Sequence, residues 1–113
     1  MVRSAASTDY WDRVAERYAR SPIRDGAVHQ RMIERTRRYL GPGDHVLDLG
    51  CATGANALLL APYAERFTAI DISHPMISVA RGNALRQGIK NVRFTQADMY
   101  RFEVEPGGFD AVL

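Results

Sequence analysis

Cysteine is nearly missing from this chain of 113 residues: Cys51 is its single occurrence. One thiol excludes an internal disulfide framework and a cysteine-rich metal cluster. No metal site is therefore expected, and a reducing, cytoplasmic setting fits. Long apolar runs are missing too. No stretch approaches the roughly 20 apolar residues that a membrane-crossing helix needs, so no membrane partner is expected. The opening "MVRSAASTDYWDR" lacks the apolar core of a secretory signal. Internal repeats and low-complexity segments are also lacking.

What is there is ordinary globular material, 46% hydrophobic and 25% charged, enough for one domain. The net charge of +2 is unevenly placed. Residues 1–40 carry nine Arg against five acids, and residues 41–113 carry six basic residues against eight acids. The run "RMIERTRRYL" has the composition of a nucleic-acid patch. Glu34 interrupts it and the overall charge is small, so a solvated helix face is the preferred reading and no nucleic-acid partner is expected.

Periodicity divides the chain in two. Residues 1–8 read as a flexible lead and 9–113 as the folded domain. Trp11, Val14, Ala15 and Tyr18 recur at helical spacing behind Thr8 or Asp9 as a cap, and "SPIRDG" breaks that helix. A second helix is predicted over 27–40, with Val28, Met32, Ile33 and Leu40 as its apolar stripe and "GPG" as its stop. Strands are then predicted over 45–49, 67–72, 92–96 and 109–113. Helices are predicted between them over 55–63, which Pro62 distorts or ends, and from "SHP" to residue 87. Ser73 is the expected N-cap of the latter and Gly88 its stop. Strands alternating with helices of this length imply βαβ crossovers and a parallel sheet. The fold class is α/β, Rossmann-like, with two N-terminal helices.

Ligands of such sheets bind at the carboxyl ends of the strands. Asp48 with "GCATG" follows the first strand, Asp71 the second and Asp98 the third. Small residues let backbone approach a ligand, and Gly50 and Gly54 tolerate positive φ. Asp71, 21 residues after Gly50, is spaced to accept both hydroxyls of a ribose. Asp98 is placed to accept from an exocyclic amine beside Met99, with Ile72 and Met99 sandwiching the ring. A G-x-G-x-x-G dinucleotide register keeps one glycine of three. The register D-x-G-x-G-x-G fits better, with Asp48, Gly50 and Gly54 in place and Ala52 at the middle glycine. Cys51 reads as a small packed residue rather than a nucleophile. His45 and His74 read as structural or solvent-facing, and His29 as a surface residue of the second helix.

The segments "VLDLGCATG", "AIDIS", "QADMY" and "FDAVL" are similar to the successive motifs of class I S-adenosylmethionine-dependent methyltransferases. "YWDRVAERYARS" resembles the N-terminal helix of their small-molecule branch, which includes ubiquinone/menaquinone-biosynthesis-like and natural-product enzymes. The resemblance covers residues 9–113 and implies S-adenosylmethionine as cofactor and a small-molecule methyl acceptor. It implies that residues 50–54, with Cys51 and Ala52, lie against the methionine part, supported by Asp48. It further places Asp71 on the ribose, Ile72 on adenine, Asp98 and Met99 at the adenine edge, and Tyr10 and Tyr18 over the methionine end. Ala52 departs from the family's glycine. No residue is singled out as a catalytic base.

The family's sheet has seven strands in order 3-2-1-4-5-7-6, of which strands 1–4 are expected here, so the domain is expected to be incomplete at its C-terminal end. A truncated or longer enzyme, a homodimer pairing through an exposed fourth strand, and a non-catalytic half-domain that binds cofactor and self-associates are the readings, in that order. A nucleotide-sugar or NAD-linked enzyme is disfavoured by the turn register.

Overall fold

A computed structural model of the chain describes residues 3–22 and 25–113, with side chains from Thr8 onward in the first segment. Residues 1 and 2 of the expected lead, and Ile23 and Arg24 of the expected break, lie outside the described residues. Helix α1 runs Arg3–Arg20 and α2 Gly26–Arg37; they are followed by β1 His45–Leu49, α3 Ala55–Leu60, β2 Arg66–Asp71, α4 His74–Gln87, β3 Val92–Gln96 and β4 Ala111–Val112. The four strands form one sheet in the order β3-β2-β1-β4, and every pairing is parallel. This is the α/β, Rossmann-like arrangement that the alternating pattern implies.

Several boundaries differ from expectation. Helix α1 begins at Arg3, ahead of the start expected behind Thr8 or Asp9. "RSAAS" holds no helix breaker, and its Ala and Arg carry the helix N-terminal to Thr8. Helix α2 stops at Arg37 rather than 40, because the chain turns early: Tyr39 and Leu40 donate to Thr36 and Arg37 carbonyls at 3.0 and 3.1 Å. Strand β4 has two residues where five were expected. Pro62 ends α3 as its missing N–H requires, and Ala61–Tyr63 tightens into a 3-10 turn. In α4, Ser73 accepts the Met76 N–H at 3.3 Å, and Gly88 closes the helix at φ 69°.

Strand β1 is buried at three consecutive positions, Val46, Leu47 and Asp48, as a strand covered on both faces should be. Around it, Phe67, Ala69 and Phe94 of the sheet pack with Ala57, Leu58 and Leu60 of α3, Ile77, Ala80 and Ala84 of α4, and Ile33 of α2. Burying a side chain such as Phe67 contributes about 1.5–3 kcal/mol. Helix α1 lies against α4, where Ala15 is buried. Helix α2 is tied down at both ends: His29 Nε2 meets Asn56 Oδ1 of α3 at 2.6 Å, and Arg37 donates to the hydroxyl of Tyr63, in the 3-10 turn after α3, at 2.9 Å. His29 is therefore a half-buried tie rather than the surface residue expected. Among the described residues no helix is long and apolar enough to cross a membrane.

Candidate functional site

The loop leaving β1 turns on three residues with positive φ: Gly50 at 70°, Ala52 at 50° and Gly54 at 84°. Two are glycines, for which that region is free of a Cβ clash; Ala52 is not, and needs outside help to stay there. The help comes from the next strand. Asp71, the last residue of β2, accepts the Ala52 N–H through Oδ2 at 2.8 Å and the Ser73 N–H through Oδ1 at 3.0 Å. The Cys51 N–H donates to the Ile70 carbonyl at 2.9 Å, and Asn83 of α4 donates to the Thr53 carbonyl at 3.1 Å. Constraints from both β2 and α4 thus shape this short loop.

The two loop glycines serve different purposes. A Cβ on Gly54 would lie 2.7 Å from the Phe94 ring and 3.2 Å from Ala80, so this glycine lets the loop seat on β3 and α4. A Cβ on Gly50 would meet nothing within 4 Å. The loop is therefore closed beneath Gly54 and open at Gly50. A cradle of bare backbone with free space on one side fits a ligand pressed closely against the chain.

Asp48 sits under this loop at 6% exposure, and no hydrogen bond to its carboxylate is found among the described residues. Burial first, and the Asp71 charge second, push its pKa up to about 6. Burial likewise pushes the Cys51 thiol up, with Asp48 and Asp71 adding to the effect. A thiol so placed stays protonated at neutral pH, in keeping with a packing role.

Asp48, residues 50–54 and Asp71 are brought together as the spacing implied. Asp98 lies two residues beyond β3 and starts a turn: its Oδ1 accepts the Tyr100 N–H at 2.9 Å, and Oδ2 is 3.9 Å from an exposed Arg101. Ile72 is half-buried and Met99 is 44% exposed. Gln96 donates to the Ile72 carbonyl at 3.2 Å and so ties the ends of β2 and β3. Tyr10 and Tyr18 are half exposed and cluster with Trp11, at ring distances of 5.0 and 6.5 Å. Among the described residues no hydrogen bond joins either tyrosine to the loop. Asn83 was missed from sequence. Its signal is a polar residue on the inward α4 face defined by Ala80 and Ala84. His45 is structural, bonded to Thr68 at 2.9 Å and packed at a tilt against the Phe109 ring. No group of three or more His, Cys, Asp or Glu that could hold a metal ion occurs among the described residues.

A glycine-bearing loop at the C-terminal end of the central parallel strand, pinned by an acid from its neighbour, defines a nucleotide-type binding protein of the Rossmann-like class. Comparison with known proteins narrows this. Residues 46–113 match the family model of the methyltransferase domain. The chain belongs to that family, the class I S-adenosylmethionine-dependent methyltransferases. It is 35% identical over 92 residues to the 23S rRNA (uracil(1939)-C(5))-methyltransferase RlmD of Alkalilimnicola ehrlichii, covering 76% of this chain and 21% of that protein. In fold it is similar to the [4+2]-cyclase SpnF, with a TM-score of 0.81 at 21% identity over 96% of this chain and 47% of that one. It is also similar to magnesium protoporphyrin IX methyltransferase from Synechocystis PCC 6803, solved with bound SAH, with a TM-score of 0.73 at 22% identity over 96% and 56%.

This chain spans about a fifth of the length of the curated relatives it matches. Those relatives carry an RNA substrate in their names. The expectation that nucleic acid is no partner is thereby overturned. Its basis was small net charge and the interrupting Glu34, and charge balance alone does not decide what a chain contacts.

Proposed function

We propose that this chain binds S-adenosylmethionine across the ends of β1, β2 and β3 and serves methyl transfer to an acceptor. The observation that carries the reading is the Asp71 clasp on Ala52, which holds an open, backbone-lined loop beside an acid at ribose spacing. The cofactor, when bound, supplies an electrophilic methyl group on a sulfonium. In this reading residues 50–54 receive the methionine part, with Asp48 beneath them. Asp71 uses its remaining lone pairs on the ribose hydroxyls. Ile72 packs on adenine, and the Asp98 Oδ2, held only loosely by Arg101, accepts the adenine amine beside Met99. Tyr10 and Tyr18 of α1 close over the methionine end. The chain's contribution to rate is alignment of the acceptor and exclusion of water.

For the acceptor, a base in RNA is supported by the curated relatives. A small-molecule acceptor is the second reading, supported by the resemblance of the α1 segment to the helix of small-molecule enzymes. Calorimetric titration with S-adenosylmethionine, S-adenosylhomocysteine and NAD tests the cofactor: both sulfur compounds bind and NAD does not. Absence of binding by either sulfur compound would sink the proposal. Transfer of a radiolabelled methyl group to bulk ribosomal RNA, against a pool of small phenols and quinols, separates the two acceptor classes.

A further inference from the structure

The outer face of α2 is a row of uncompensated cations. Arg31, Arg35 and Arg38 follow one another at spacings of four and three, on the side of the helix opposite the buried Ile33, and all three are exposed. None of the three side chains makes an ion pair or hydrogen bond among the described residues. Glu34, the acid that interrupts the run in sequence, turns aside to pair with Arg37 at 3.2 Å. The interruption therefore does not neutralise the face. A helix C-terminus favours cations in and just after its last turn, which accounts for Arg35 and the cap residue Arg38 but not for Arg31, farther back.

One exposed aromatic ring follows the end of this row. Tyr39, directly after Arg38, is 81% exposed. Arg37 is turned away from the row, toward the side of Ile33, where its guanidinium lies over the Tyr63 ring at 5.1 Å and donates to its hydroxyl. The helix that carries the row is anchored at both ends, by His29 on Asn56 and Arg37 on Tyr63. Arg31 and Arg35 are separated by a rise of about 6 Å and Arg35 and Arg38 by about 4.5 Å along the axis. Cations in line with an exposed ring beside them match a polymer of phosphates carrying stackable bases.

We propose that the Arg31–Arg35–Arg38 face of α2, with Tyr39 at its end, is a contact surface for single-stranded RNA. The proposal rests on the RNA-acceptor reading above. The arginines neutralise backbone phosphates and hold the strand without reading its sequence, and Tyr39 stacks on a base.

The test uses the whole chain with S-adenosylmethionine present and a fluorescent 20-nucleotide oligouridylate as probe, followed by anisotropy between 50 and 200 mM salt. R31Q/R35Q/R38Q leaves three phosphates without a cation, so its slope of log K against log salt should be shallower by about 2. Over that fourfold range the wild type should lose affinity about 18-fold more than the variant. Replacement of the same arginines by lysine should keep the wild-type slope, and Y39A should weaken binding about 5-fold or more with the slope unchanged. Circular dichroism melting and cofactor affinity should be the same in all variants. An unchanged slope in the glutamine variant overturns the surface, while RNA binding by the wild type leaves the acceptor reading standing. If the wild type binds cofactor but no RNA, surface and RNA acceptor both fall and the cofactor site stands. Loss of binding to phosphatidylserine vesicles with RNA binding unaltered would assign the row to a membrane and overturn the proposal.

Discussion

The Asp71 carboxylate and the Ala52 N–H, 19 residues apart in sequence, are 2.8 Å apart in space. This one bond joins the end of β2 to the middle of the loop after β1. It meets the loop at Ala52, the one loop residue with positive φ that is not glycine. The acid spaced for a ribose is thus also the clasp that shapes the cradle.

Replacing Asp71 by alanine is accordingly expected to cost both binding and stability. Two N–H groups, of Ala52 and Ser73, lose their acceptor. The expected destabilisation is about 1–3 kcal/mol, read by urea unfolding, together with at least tenfold weaker cofactor binding by calorimetry. Asp71→Asn, which keeps one acceptor oxygen, should fall between. Wild-type stability with weakened binding would show that Asp71 touches ligand without shaping the loop.

The loop glycines should fail in different ways. Gly54→Ala drives a methyl group into Phe94 at positive φ and should destabilise by about 2–4 kcal/mol. Gly50→Ala points its methyl into open space and should cost only the backbone strain, about 1–2 kcal/mol, while obstructing the cofactor. Equal melting temperatures for the two variants would contradict the closed-below, open-above geometry.

Ala52→Gly is expected to stabilise. Removing the Cβ relieves about 1–2 kcal/mol of left-handed strain, and the added freedom of the unfolded chain returns about 0.5–1 kcal/mol. A net gain of about 0.5–1 kcal/mol should appear as a higher urea midpoint with an unchanged slope.

Asp48 makes stability depend on pH in a stated direction. Its folded pKa, near 6, lies above the ordinary 3.8, so the folded chain holds this proton more tightly than the unfolded chain. The contribution is complete below about pH 4 and is lost as pH rises through 6, amounting to about 3 kcal/mol. Asp48→Asn should remove this part of the profile and be the more stable protein at pH 7. Asp71→Asn should shift the Asp48 transition to lower pH, because the Asp71 charge is the second cause of the upward shift. Unfolding curves from pH 4 to 7.5 decide it, and parallel profiles for wild type and Asp48→Asn would refute the assignment.

Much of the fold was legible because its cues are local. Strand β1 is a run of apolar residues whose bounds need no context, and β3 was likewise placed at Val92–Gln96. Ser73, Pro75 and Gly88 mark the ends of α4 by backbone chemistry that acts within a turn. The start of α1 was not legible, since "RSAAS" is compatible with a helix but offers no sharp capping signal to set against Thr8. Strand β4 has its register with β1 at Ala111 and Val112, and the backbone bonds that flank it reach only Asp110 and Leu113, so Phe109 of the expected run falls outside.

The sequence alone determined the class of fold and the loop with Asp48 and Asp71 beside it, because periodicity, turn residues and the spacing of those acids all act along the chain. Tertiary structure decided what those residues do to one another. Only packing could show that Asp71 clasps Ala52, that Gly54 seats on Phe94, that Asn83 braces Thr53, and that Glu34 leaves the arginine row of α2 uncovered. Each of these depends on a direction in space, and a side chain's direction is set by the rotation of its helix and by the pleat and register of its strand.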